Sequence, residues 1–433
     1  GYTPNSKTAA DNIIDLSGTT TETPRHSGFT LDKVTEFIVN DVTIRGGSTT
    51  LELTNSSATA TLNRVIFSDN TLAINNVNGT VTLNNVDIKS GTAEVPNNIT
   101  NDDKLFINDS TISSSVISSL TGVVKSSGTN SIAVIENDGS FELNGQDTVT
   151  TSFTNTGTLK TADKTTIALL TNSNTVNTAG TTEITTVTNS GTISTTDTNT
   201  FGNVTNSGTI STTDTNTITT LSNSGTVTLG GSQDKITNLT NAKINSGDVA
   251  TITSNGTSEI TNLTNSNLVY LHGTDVVTTV VNNTGTIETT NSTEFTTVNN
   301  DTTGIINTTG TATFKDIANK GTITLNNTNS ITGNVTENGI LNINTETTTL
   351  TGHIFGTQQV NITAIIDISD NGTLDIENSN IAAKYQDKIV FDYGLAKFRA
   401  DKYSKDIFML RSDFDQTDDG RLLRCLQALL LSQ

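Results

Sequence analysis

The sequence predicts an all-β chain, a right-handed parallel β-helix (β-solenoid) with three short strands per coil and a short C-terminal cap. Three observations lead there. Residues 188–200 recur letter for letter at 205–217, an offset of 17. Three apolar columns keep that spacing or one residue more: Ile135, Phe153, Leu170, Val187, Val204, Leu221 and Leu239; Phe141, Leu159, Val176, Ile193, Ile210 and Val227; Val149, Ile167, Ile184, Phe201, Ile218 and Ile236. Two residues after the first column comes asparagine (Asn137, Asn155, Asn172, Asn189, Asn206, Asn223, Asn241), and two further on comes a turn residue (Gly139, Gly157, Asn174, Gly191, Gly208, Gly225).

A helical hairpin needs apolar residues at i, i+3, i+4 and i+7, and three isolated apolar positions in 17 residues do not supply them. Short strands with a few inward side chains do. Stacked coils then place like over like at strand spacing, so that Val187, Val204 and Leu221 pack as one stripe and Ile193, Ile210 and Val227 as another. The asparagine column is expected to bond along the axis as an amide ladder. Because Gly and Asn tolerate left-handed angles, the turn column is expected to mark a tight corner.

Composition agrees with a thin, repeated core. Only 32% of the 433 residues are hydrophobic and 4% aromatic, with no Trp. A globular chain so poor in apolar side chains could not offset its ordering entropy, whereas a solenoid extends a narrow core by stacking. The formal net charge of −20 argues against a nucleic-acid partner, which wants a basic surface. A lone cysteine, Cys425, excludes a disulfide framework and a Cys-based metal site. The sequence opens on Gly1 and its only methionine is Met409, so the natural start, with any signal peptide, is expected to lie ahead of these residues or to have been removed. No apolar run is long enough to cross a membrane as a helix.

Taken in order, residues 1–27 read as a lead-in or cap. The β-helix is expected over 28–383. Its first part, 28–134, has longer coils marked by Val39–Ile44, Leu62–Phe67, Leu83–Ile88 and Ile107–Ile112 at steps of 23, 21 and 24. Regular coils of 17 or 18 residues fill 135–245, and less regular ones 246–383. At this repeat nearly 20 coils would fit, a rod on the order of 90 Å long. Residues 384–433 differ in kind, holding nine of the 23 Lys and Arg. Within them 421–431 reads as an amphipathic helix that caps the open end, with Leu422, Leu423, Leu426, Leu429 and Leu430 on one face.

The Asn-Ser-Gly-Thr-Ile corners at 189–193 and 206–210, with Asn155–Leu159 and Asn283–Ile287 as cousins, resemble the passenger repeats of bacterial autotransporters and haemagglutinin-like adhesins. The resemblance spans roughly residues 28–400, and Tyr385–Phe391 looks like the segment that closes such passengers. It implies secretion to the bacterial surface through a C-terminal β-barrel, which this sequence does not include. It also implies a stalk or adhesin that attaches to a host or neighbouring-cell receptor, to a glycan or to copies of itself. Phage tailspikes and polysaccharide lyases share the architecture, so a carbohydrate-active β-helix is the alternative reading.

No catalytic residue, cofactor site or metal site is expected. Carboxylates such as Asp163, Glu183, Asp197 and Asp214 read as a solvated face. Asp102, Asp103 and Asp109 read as polar loop residues, and His26, His272 and His353 lack partners at metal-ligand spacing. The threonines Thr158, Thr175, Thr192, Thr209 and Thr226 should form an outward ladder of the sort an ice-binding face would use. Their companion column of Lys160, Asn177, Ser194, Ser211 and Thr228 breaks that regularity. Sequons such as Asn78–Thr80 and Asn98–Thr100 are what a chain this rich in Asn and Thr produces by chance. The polar outward columns predict a monomer.

Overall fold

The computed structural model describes residues 12–18, 25–243, 249–344, 347–356, 359–362, 365–368 and 373–374. The chain divides into two compact units, Gly1–Asp375 and Ile376–Gln433. The expected cap at 384–433, with its helix and the Tyr385–Phe391 segment, lies outside the described residues.

The first unit is a parallel β-solenoid of about 18 coils, without a helix among the described residues and consistent with a right-handed β-helix. That is the hand that parallel crossover connections take. One coil shows the plan. The first face is Thr175–Thr178, and the second and third faces share the bent strand Thr181–Asn189. In that strand Thr182 and Ile184 point inward, Thr185 and Thr186 both stay outside at the bend, and Val187 and Asn189 point inward again. Alternation along a strand has a period of two, so two consecutive outward residues turn the chain onto the next face.

Register places the repeats over one another. Val187 pairs with Val204 and Val204 with Leu221; on the first face Ile193 pairs with Ile210 and Ile210 with Val227. All six are at most 3% exposed. The longer N-terminal coils obey the same rule, with Val39 over Leu62, Leu62 over Leu83 and Leu83 over Ile107. Phenylalanines thicken the stripe at two points: Phe141 meets Phe153 edge-on at 5.4 Å, and Phe295 stacks on Phe314 at 5.1 Å. Pairing begins earlier than residue 28, since Ile13–Asp15 already runs parallel to Thr43–Arg45.

The reason expected for glycine at the corners is corrected. The glycines of the turn column, Gly157, Gly191, Gly208 and Gly225, do not take positive φ. Their constraint is the coil next to them: a Cβ on Gly208 would lie 2.1 Å from the carbonyl oxygen of Gly191, and one on Gly225 equally close to that of Gly208. The left-handed corner is the one between the first and second faces, where Asp163 (φ 62°), Gly180 (71°), Asp197 (61°) and Asp214 (60°) stack. Asp is among the few non-glycine residues that adopt this conformation readily.

Candidate recognition surface

Two ladders of buried polar side chains hold the coils in register. The first runs at the end of the third face. The side-chain amide of Asn137 donates to Asn155 (2.8 Å), Asn155 to Asn172 (2.8 Å), Asn172 to Asn189 (2.7 Å), Asn189 to Asn206 (2.7 Å) and Asn206 to Asn223 (2.8 Å). It continues through Asn241, Asn265, Asn283, Asn300 and Asn319 to Glu337. Every amide points its N–H toward the C-terminal coil. Each also bonds backbone carbonyls around the turn; that of Asn155 reaches Gly157 (3.0 Å) and Thr175 (2.9 Å). The asparagine thereby satisfies the carbonyls that a tight turn would otherwise orphan.

The second ladder stands at the corner between the first and second faces, two residues before the third apolar column. Asn199 donates to Asn216 (3.2 Å) and Asn216 to Asp234 (2.9 Å), while Thr212 gives its hydroxyl hydrogen to Asp234 (2.8 Å). Asp147 and Asp275 occupy the same position in other coils. Asp147 accepts from Ser126 (2.6 Å), Asn130 (2.8 Å) and the backbone N–H of Gly145 (3.0 Å). Asp275 accepts from Ser254 (2.5 Å) and Gly273 N–H (3.2 Å), and burial pushes its carboxyl up to about 6. The Asn and Asp letters at 17- or 18-residue steps were the signal for this ladder, masked by threonine at 165, 182 and 293 and serine at 258.

The residues with possible chemistry do not converge. Asp197 accepts from Gly180 N–H (3.1 Å) and Asp214 from Asp197 N–H (3.3 Å), so these exposed carboxylates tie the left-handed corners of successive coils. Asp103 accepts from Gly79 N–H (2.9 Å) and Asp109 from Thr129 N–H (2.9 Å), and Asp102 donates its backbone N–H to Asn76 (2.7 Å). The backbone of His26 bridges Leu16 and Ser48. The ring of His272 lies 5.2 Å from that of Tyr270, and His353 opens a late strand. Among the described residues no three His, Cys, Asp or Glu are grouped to hold a metal ion, and no helix is long and apolar enough to cross a membrane.

The exterior carries its own columns. Thr158, Thr175, Thr192, Thr209 and Thr226 stack in register on the first face, beside Lys160, Asn177, Ser194, Ser211 and Thr228. A groove opens on the third face, where Thr264, Asn282, Asn299 and Ala318 share one outward column. Its wall is the turn after Asn300. Regular coils cross this edge in two residues, Ser190 and Gly191 for instance, but here four intervene, Asp301–Gly304. Thr303 bonds the carbonyl of Thr284 at 2.8 Å, which holds the enlarged turn upright against the neighbouring coil. Asn299 donates to Asn282 (2.9 Å), Ala318 leaves the floor low, and Lys320 stands 4.0 Å from Asp301 at the rim. The length of that turn was the readable signal of this groove; only stacking shows which column it walls.

Comparison of the chain with protein families, with curated proteins and with solved structures finds no match.

Proposed function

We propose that the chain is a structural and adhesive rod on the outside of a bacterial cell, a stalk that carries an attachment surface to a receptor or glycan on another cell. The observation that carries this reading is the inner amide ladder, unbroken from Asn137 to Asn319. It locks successive coils to one register without a thick core, and a stack of about 18 coils reaches on the order of 85 Å at strand spacing. Length obtained this way needs no disulfide, and the polar outer columns with a net charge of −20 keep such a rod dispersed. The irregular outward features, the groove along Thr264–Ala318 foremost, are where recognition would sit.

Beads coated with the chain should attach to mammalian or bacterial cell monolayers, and soluble chain should compete them off. The carbohydrate-active alternative is served by the same groove and predicts instead that the chain releases new reducing ends from a polysaccharide. Release of reducing ends without attachment would replace the adhesive reading by the enzymatic one. Thermal hysteresis tests the ice-binding reading of the threonine columns.

A further inference from the structure

We propose that Tyr270, His272 and Glu288 form a binding subsite for one pyranose residue of a neutral glycan. This deepens the adhesive reading and rests on it.

The first face carries small polar residues in its outward columns over most coils. In one coil it changes. Where the preceding coil presents Thr251, Thr253 and Asn255, this one presents Leu268, Tyr270 and His272, and the following coil sets Glu288 beside Tyr270. Parallel pairing puts the backbones of Thr253, Tyr270 and Glu288 at successive strand spacings, roughly 4.8 Å apart. All four residues of the cluster, Leu268, Tyr270, His272 and Glu288, are half-buried. The two rings lie with centroids 5.2 Å apart, tilted 48° to each other, as a pair of adjacent aromatic surfaces along the strand.

The polar ends of this cluster have no protein partner among the described residues. Elsewhere outward asparagines bond to one another, as Asn299 does to Asn282. Among the described residues no hydrogen bond or ion pair engages the Tyr270 phenol, the His272 ring or the Glu288 carboxylate. An aromatic face is apolar and takes the C–H face of a sugar ring. A carboxylate beside it accepts from two vicinal hydroxyls in charge-assisted bonds. The phenol adds a donor, and the imidazole a donor and an acceptor. On the other flank the paired residue is the small Thr253. Among the described residues the neighbouring outward positions of the first face, Thr251, Thr253, Thr286 and Asn307, bring no lysine or arginine, and the chain is strongly acidic, so a neutral sugar suits the site and a uronate or sulfated one does not.

Affinity electrophoresis of the full chain through gels holding dextran, mannan, xylan or galactomannan tests this. Retardation is expected in at least one, weakened about tenfold in apparent affinity by Tyr270→Ala, the loss of one good contact. Tyr270→Phe should keep most of it, and Glu288→Gln should weaken it. Glu288→Gln is isosteric on the exterior, so it tests the site even if Tyr270→Ala perturbs folding. No retardation in any gel, or retardation that neither Tyr270→Ala nor Glu288→Gln alters, overturns the subsite. Attachment of coated beads to cells that persists with Tyr270→Ala would leave the adhesive reading standing while removing this one; loss of attachment by the unaltered chain would remove the adhesive reading itself.

Discussion

Asn319 sets its side-chain amide against both carboxylate oxygens of Glu337, at 2.9 and 3.0 Å, and there the inner ladder ends. All the amides above send their N–H groups toward this end, so the last partner needs only to accept, and a carboxylate does so with no N–H left over. Gly339 N–H adds a bond at 2.7 Å. The next coil brings Gly356 beneath, where a Cβ would lie 1.8 Å from the Glu337 carbonyl oxygen. Burial raises the Glu337 carboxyl above its ordinary value against the pull of these donors. Replacing it by Ala leaves the Asn319 amide without its terminal acceptor. Glu337→Ala should cost about 2 kcal/mol and speed amide exchange in 335–341 more than in the coils around Val187.

The middle of the ladder should be more sensitive still. Asn206 accepts from Asn189, donates to Asn223 and bonds the carbonyls of Gly208 and Thr226, so Asn206→Ala breaks two rungs of the ladder and takes the side-chain donor from two turn carbonyls, a loss of about 3 kcal/mol. Asn203, exposed on the same strand, is the control: Asn203→Ala should change the denaturation midpoint little. Equal effects would mean that the amide bonds contribute no stability of their own.

Asp275 gives the rod a pH dependence. Its carboxyl is raised from 3.8 to about 6, chiefly by burial. Between those values the folded chain holds a proton that the unfolded chain has released, so stability is greatest below the lower value and declines as pH rises through about 6. Asp275→Asn should remove that decline, stabilising the chain at pH 7 by up to about 3 kcal/mol and by little at pH 4. Thermal melts of the two proteins from pH 4 to 8 measure it; parallel curves would contradict the assignment.

The two kinds of corner should answer substitution in opposite ways. Gly208→Ala drives a Cβ into the carbonyl of Gly191 and should destabilise, whereas Gly→Ala at an unhindered position stabilises by up to about 1 kcal/mol. Asp197→Gly relieves a positive φ of 61° at the expense of one exposed bond to Gly180, and should be close to neutral. Asp197→Val, β-branched at that φ, should be clearly destabilising. Urea denaturation of the three variants distinguishes close stacking from backbone angle as the reason for each corner.

Much of the fold was legible because a solenoid writes the same sentence once per coil. Val187, Val204 and Leu221 could be aligned from spacing alone, and so could Asn189 and Asn206. Asn199, Asn216 and Asp234 were harder to read, because threonine at 165 and 182 and serine at 258 fill the same inward site and alternation of Thr with Asn looks like exterior composition. The reason for glycine at 191, 208 and 225 was misread: a short-range rule about φ was applied where the constraint comes from a residue 17 positions away. The groove beside Asn299 and the aromatic pair at Tyr270 are departures from the repeat, and a departure has no column from which to be recognised until the coils are stacked.

The vertical superposition of residues 17 apart is tested most directly by paired spin labels. With Cys425→Ser in the background, labels at Thr192→Cys and Thr209→Cys should show strong dipolar broadening, since register places these two on adjacent strands at roughly 4.8 Å. The pair Thr192→Cys and Thr200→Cys, closer in sequence but on different faces, should show much less. Weak coupling at 192 and 209, or stronger coupling at 192 and 200, would contradict the solenoid and every inference drawn from it.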